Sequence, residues 1–450
     1  MIIRISNNMP HLYIKRLTGS TIKKSKNMKY SIFRIIVVLF CFLQITNDSQ
    51  AQTKTDSLKT FFDKLNAMFE TSDIKIILED LNPNFSVSIP SYPASELYLQ
   101  KIIESKKIES VKFNSVQTTG ADTILVDVSF VNTDGTKVKS VVAFDKNNKL
   151  LFVDYFDRFF IGSGSRYDKS KKKAEIPFYR KDGSIMLPIK LNNSTKILHF
   201  ILDTGANGMA IRKSLGDSLN LEITHTNNVS VVGGGMQVPV SRGNTVCFSD
   251  SFSLQNQNIA LFEGLGTRMD GIIGLNLAKE YILNLDFDKQ ILSLFSFGEY
   301  AFDKDGETLD ITLPSGIVMV PATLNIVGKK EVSGSFVFDT GAHYHAIGFE
   351  AFVRKNRLLL SGFKSENQGT TQSLGIVTPV FNGKCYSFRF GKNIELRNIP
   401  ITLQASSGRK IADDEPDGSI GIDLLGQFNI TIDLLRKLIH LSPNSKMQKE

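Results

Sequence analysis

An apolar strand ending in Asp-Thr-Gly occurs twice in this chain. Phe200-Ile201-Leu202-Asp203-Thr204-Gly205-Ala206 recurs 136 residues later as Phe336-Val337-Phe338-Asp339-Thr340-Gly341-Ala342. One such segment is a common turn: the strand delivers a carboxylate, Gly turns at low steric cost, and the Thr hydroxyl can bond neighbouring backbone. Two copies permit acid–base chemistry if the chain brings them together. Asp203 and Asp339 at hydrogen-bonding distance could not both ionise cheaply. They would share one proton and so hold an acid and a base in one site. The ionised member could draw a proton from water while the protonated member polarised a peptide carbonyl. That chemistry needs no metal, no cofactor and no nucleophilic side chain.

The positioning elements repeat as well. Asp270-Gly271-Ile272-Ile273-Gly274-Leu275 recurs as Asp417-Gly418-Ser419-Ile420-Gly421-Ile422, and Asn284-Leu285-Asp286 as Thr431-Ile432-Asp433, each at an offset of 147 residues. Three motifs in one order at nearly one offset predict a duplicated β lobe, 174–299 and 306–443. The two carboxylates would then meet on a pseudo-twofold axis between lobes.

On these motifs, 174–443 resembles a pepsin/retropepsin-type aspartic protease. The resemblance covers about 60% of the chain. It implies a mainly β, bilobal acid-protease fold and aspartic endopeptidase activity on a peptide or protein substrate. It implies Asp203 and Asp339 as the catalytic dyad, with Thr204 and Thr340 clasping the two loops. Gly205 and Gly341 would keep backbone close to the carboxylates. Val232, Gly233, Gly234, Gly235 and Met236 are similar to the glycine-rich flap of retroviral enzymes, which opens for substrate and then excludes water. The corresponding part of the second lobe, around Gln368–Gly375, is less flap-like, so one dominant flap is expected. There are departures from the pattern. Ala206 and Ala342 follow the glycines, as in retroviral enzymes, where pepsins favour Ser or Thr. The flap has no pepsin-like tyrosine. His343 and His345 follow the second Asp-Thr-Gly, where an imidazolium would favour ionised Asp339; surface or groove-lining histidines are the expectation over a metal pair, since no third metal ligand is identifiable. The reading from a different class is a catalytically silent peptide-binding protein on the same fold, but intact Asp-Thr-Gly in both lobes argues against it.

Upstream, Asp56–Glu70 places Leu58, Phe61, Phe62, Leu65, Met68 and Phe69 at helical spacing. A second helix is predicted over 73–81, stopped by Pro83, and a third from about Ser95. The period then changes to two, predicting strands at 108–117, 123–131, 137–145 and 149–157. Helices followed by a meander give a small α+β domain over 55–160, similar in element order to the NTF2-like cone fold. It reads first as a targeting or protein-binding module with a protein partner, the alternatives being a small-ligand cone and a pro-domain covering the groove. Gly162-Ser163-Gly164-Ser165 and the lysines of 169–173 read as a basic flexible linker, 161–173.

The net charge of +8 is unevenly placed: residues 1–51 carry +7 and the remainder +1. No basic face for nucleic acid is therefore indicated. Lys29 and Arg34 precede nine apolar residues, Ile35–Leu43, and Ser49-Gln50-Ala51 supplies small residues at −3 and −1. Residues 1–51 thus read as a cleavable signal peptide, with Met28 an alternative start. Nine apolar residues are too few to span a bilayer, so an exported, monomeric mature form without a stable membrane span is expected. Cys247 and Cys385 then remain, 44 and 46 residues after their respective aspartates. They are expected to be free, buried thiols at equivalent positions of the two lobes.

Overall fold

The computed structural model describes residues 56–447 except 120–121, 232–233, 329, 374–375 and 406–414. The predicted signal peptide lies outside the described residues. The chain divides into two compact units, 1–60 and 61–450. Of the first, residues 56–60 are described and are helical.

The second unit opens with a helix running to residue 71, which buries Phe61, Phe62, Leu65 and Met68. Phe61 meets Phe144 edge-on at 5.0 Å between centroids. Phe144 lies on a five-stranded sheet in the order Leu81–Ser86, Leu150–Val153, Lys137–Asp145, Thr123–Asn132, Ile108–Thr119. In Thr123–Asn132 the buried residues are Ile124, Val126, Val128 and Phe130, the alternation of a strand with one face in a core. The helix predicted over 73–81 is only Lys75–Leu78. Leu81–Ser86 is instead an edge strand pairing in parallel with Leu150–Val153. The helix ends at Leu78, before Pro83, which sits within this edge strand, where a missing N–H is tolerated. The last predicted strand is likewise cut short: Asp154–Asp157 is a helical turn.

The expected flexible linker is not one. Gly164–Lys169 pairs in parallel with Phe297–Glu299, and Lys172–Pro177 runs antiparallel to Ile291–Phe295. On the first of these strands Arg166 is buried. Its backbone N–H donates to Asp154 Oδ1 at 2.7 Å, its Nε to Asp157 Oδ2 at 2.6 Å and its Nη1 to the Leu435 carbonyl at 2.8 Å. A run of charge reads as solvated unless its partners are known, and these partners lie 9 to 269 residues away.

The lobes are joined by a six-stranded sheet ordered Glu307–Asp310, Leu438–Pro443, Phe428–Asp433, Ile282–Asp286, Ile291–Phe295, Lys172–Pro177. At its centre Asn284 pairs with Thr431, and the Asn284 Nδ2 donates to Thr431 Oγ1 at 2.9 Å. These residues are repeat-mates at the 147-residue offset. An element that pairs with its own duplicate at a self-matched register lies on a twofold axis, so the pseudo-symmetry axis passes here. The eight-stranded sheet of the first lobe and the nine-stranded sheet of the second share an equivalent order through seven strands. One buried cluster runs through both, including Phe200, Leu202, Leu285, Phe336, Phe338 and Ile432.

Candidate active site

In each lobe a central strand carries the aspartate to the axis. Leu198–Leu202 pairs in parallel with Gly271–Ile273, and Asp203 N donates to the Ile273 carbonyl at 2.9 Å. Glu331–Phe338 pairs with Gly418–Ile420, and Asp339 N donates to the Ile420 carbonyl at 3.0 Å. Each chain then turns back on its own carboxylate, with Gly205 N donating to Asp203 Oδ1 and Gly341 N to Asp339 Oδ1, both at 2.9 Å. The glycines of the downstream motifs make room for these turns. A Cβ on Gly274 would stand 2.2 Å from the Ala206 carbonyl oxygen, and one on Gly421 would stand 2.7 Å from that of Ala342.

The two turns are locked to each other by reciprocal bonds. Thr204 N donates to Thr340 Oγ1 at 3.1 Å and Thr340 N to Thr204 Oγ1 at 3.0 Å. Each hydroxyl then donates across the axis, Thr204 to the Phe338 carbonyl at 2.6 Å and Thr340 to the Leu202 carbonyl at 2.8 Å. Both threonines are buried, so these four bonds have no water to replace them. The clasp brings each glycine against the opposite carboxyl. A Cβ on Gly205 would lie 2.8 Å from Asp339 Cγ, and one on Gly341 would lie 2.4 Å from Asp203 Cγ. Close approach across the axis, and not a left-handed backbone, is what requires glycine at both positions.

Electrostatics follow from that contact. Burial raises the Asp203 carboxyl above the ordinary range, opposed by a hydrogen bond with Asp339 and by backbone N–H groups. Burial raises Asp339 further, and the charge of Asp203 adds to it. Both carboxyls are raised, so the pair holds one proton between them. Tyr344, five residues past Asp339, is pushed well above its usual range, first by burial and then by the Asp339 charge; its hydrogen bond with Ser419 opposes this. No pattern in the sequence marks Tyr344, because its relation to the dyad is made by packing against the Gly421 turn.

His343 turns to the first lobe, where its Nε2 lies 2.8 Å from Ser184 Oγ, and a Cβ on Gly183 would meet its ring at 2.9 Å. The influences acting on Asp339 are burial, Asp203 and the N–H groups of Gly341 and Ala342, with no histidine among them. Among the described residues no group of three or more His, Cys, Asp and Glu comes together to hold a metal.

Gly234, Gly235 and Met236 start the returning strand of a long hairpin, His225–Val231 with Gly234–Ser249. Val232 and Gly233 lie outside the described residues. Met236 is 40% exposed. The second lobe carries its own hairpin, Ser365–Ser373 with Ile376–Lys384, where one dominant flap was expected. Cys385 is buried, with its thiol pushed up to about 12 by burial, and Cys247 is half-buried.

The model of the family described as Aspartyl protease matches residues 187–277, a stretch that contains Asp203 and Gly274. Among solved structures, the aspartic proteinase from Irpex lacteus is similar at 12% identity and a TM-score of 0.43, over 61% of this chain and 98% of that one. No curated protein matches. Residues 187–277, which hold the first Asp-Thr-Gly loop, are thus similar to an aspartyl protease.

Proposed function

We propose that this protein is an aspartic endopeptidase in which Asp203 and Asp339 activate one water molecule against a peptide carbonyl. The observation that carries this reading is the reciprocal Thr204–Thr340 clasp, which sets each Asp-Thr-Gly glycine against the other lobe's carboxyl. In this reading ionised Asp203 takes a proton from water as its oxygen adds to the carbonyl carbon. Asp339 gives its proton to the carbonyl oxygen, leaving a neutral gem-diol. In the second half, one carboxyl returns a proton to the amide nitrogen while the other takes one from a diol hydroxyl, and the C–N bond breaks. Proton sharing of this kind is the known behaviour of aspartic-protease dyads. The substrate is an extended peptide lying in the groove between the lobes. Export is part of the same proposal: the mature chain begins at Gln52, which N-terminal sequencing of secreted or periplasmic protein would check.

Peptide-library digestion across pH by the purified 52–450 form tests the activity. Cleavage by the wild type should fall by about 10³-fold or more in both Asp203→Asn and Asp339→Asn. Cleavage that survives both changes removes the dyad from the reaction. Tight peptide binding without any cleavage would favour a silent binding protein instead.

A further inference from the structure

Where the α+β domain meets the sheet that joins the lobes, the structure holds a cavity of about 320 Å³ lined by Thr123, Leu125, Phe152, Arg166, Tyr167 and Arg436. Ligand pockets start at about 300 Å³. The floor is the face of the five-stranded sheet turned away from its helices. Ile124 and Val126 are buried in the domain core, so Thr123 and Leu125, alternating with them, point outward. Leu125 pairs with Ala143 and Ala143 with Phe152, which puts these three in one outward row. The walls come from two other elements. Arg166 and Tyr167 lie on Gly164–Lys169, and Arg436 lies on the turn between Phe428–Asp433 and Leu438–Pro443.

That turn exists in both lobes, and only in the second does its cation leave its carboxylate. In the first lobe Lys289 N donates to Asp286 Oδ1 at 2.9 Å and Lys289 Nζ to Asp286 Oδ2 at 2.7 Å. At the 147-residue offset Arg436 N likewise donates to Asp433 Oδ1, at 3.0 Å. Its guanidinium instead donates to the Arg166 carbonyl and has no ion pair among the described residues. Asp433 Oδ2 is left buried, with no hydrogen bond among the described residues. Nearby, Arg158 pairs with Asp154 and Arg166 with Asp157, both at 2.6 Å. That leaves Arg436 and Lys437 against Asp433, whose carboxyl is raised by burial. The junction therefore carries at least one positive charge in excess. The Tyr167 hydroxyl, pushed up to about 12 chiefly by burial, stays protonated and has no acceptor among the described residues.

We infer that this cavity binds a small organic carboxylate with an apolar body, its carboxylate on the Arg436 guanidinium and the Tyr167 hydroxyl and its body against Leu125 and Phe152. The planar guanidinium fork matches a carboxylate, and one negative charge balances the excess. A phosphate would bring up to two charges and has no use for the apolar floor. The site does not touch the dyad, so it stands whether or not the protein hydrolyses peptides. A bound carboxylate would bridge the α+β domain and the turn of the joining sheet.

Calorimetric titration of the 52–450 form with 3-phenylpropanoate, N-acetylphenylalanine and the neutral isostere 3-phenylpropanamide tests this. At least one acid should bind at a single site, and the amide at least about tenfold more weakly. Tighter binding of N-acetylphenylalanine assigns the site to a peptide C-terminus, and tighter binding of 3-phenylpropanoate to a free acid. Asp203→Asn should bind the acid as the wild type does, which separates the cavity from the dyad. Arg436→Gln should weaken the acid at least about tenfold and leave the amide unchanged. Should that variant fail to fold, Tyr167→Trp keeps Arg436 and supplies the one tryptophan of a chain that has none. Its emission should respond to the acid and not to the amide. No binding of either acid, equal affinity for acid and amide, or binding lost in Asp203→Asn overturns the inference. So does wild-type affinity in folded Arg436→Gln, or a tryptophan at position 167 that is silent to the acid.

Discussion

Replacing Arg166 by methionine removes a guanidinium and keeps most of the apolar stem. Arg166 packs 4.1 Å over the Phe152 ring, which Met can still cover. Asp157 is fully buried and is left with the Ser88 N–H, at 2.6 Å, as its hydrogen bond. Breaking a buried pair from one side costs about 3–5 kcal/mol. The pH dependence shows whether the orphaned charge is the cause. In the wild type, burial already outweighs Arg166 and raises Asp157 from 3.8 to about 6. A carboxyl raised on folding favours the native state when protonated. That contribution is complete below about 4 and is lost as pH rises through 6. It amounts to about 3 kcal/mol at 1.36 kcal/mol per pKa unit. Without Arg166 the carboxyl rises further, so Arg166→Met should lie about 3–5 kcal/mol below wild type at pH 7.5 in urea unfolding, and the gap should narrow at pH 5. Asp157→Asn in the Arg166→Met background should restore most of the loss at pH 7.5. An equal deficit at both pH values, or no recovery in the double variant, would refute the buried-charge argument. It would leave the lost bond to the Leu435 carbonyl as the cause.

Thr340→Val keeps the shape of the clasp but orphans the Leu202 carbonyl and the Thr204 N–H. It should cost about 2–5 kcal/mol by thermal unfolding, at about 1–3 kcal/mol per buried group. Gly341→Ala drives a methyl into Asp203 and should lower kcat by about 10²-fold or more, whereas Gly208→Ala, with open space around it, should leave kcat unchanged in the same assay. Asp339 is raised by burial and by Asp203, so it favours the native state in acid and disfavours it as pH rises. Asp339→Asn should therefore be more stable than wild type at neutral pH and lose that advantage in acid, as read by urea midpoints across pH. A chain starting at Lys173 loses Arg166 and the first residue of Lys172–Pro177; its unfolding midpoint should fall below that of the 52–450 form.

How much of this was legible in the sequence depends on whether information is local or repeated. The Asp-Thr-Gly loops, the two Gly-containing strands behind them and the lobe sheets could be read because duplication shows each signal twice. A meander such as 108–145 could be read because burial on one face imposes a period of two. Three things could not. Pro83 carries one sequence signal, and both a helix end and an edge strand satisfy it. The 161–173 segment looks solvated because its compensating acids are close to it but its other anchor, Leu435, is 269 residues away; nothing short of the fold places them together. The second hairpin lacks the glycine run that marks the first, so side-chain identity hid it. Its length is set by ladder pairing from Asn367 to Ser373, which a sequence of Ser, Thr, Gln and Asn supports as readily as glycine does. The apparent asymmetry of the two lobes lies in composition, and the backbone beneath it is close to twofold.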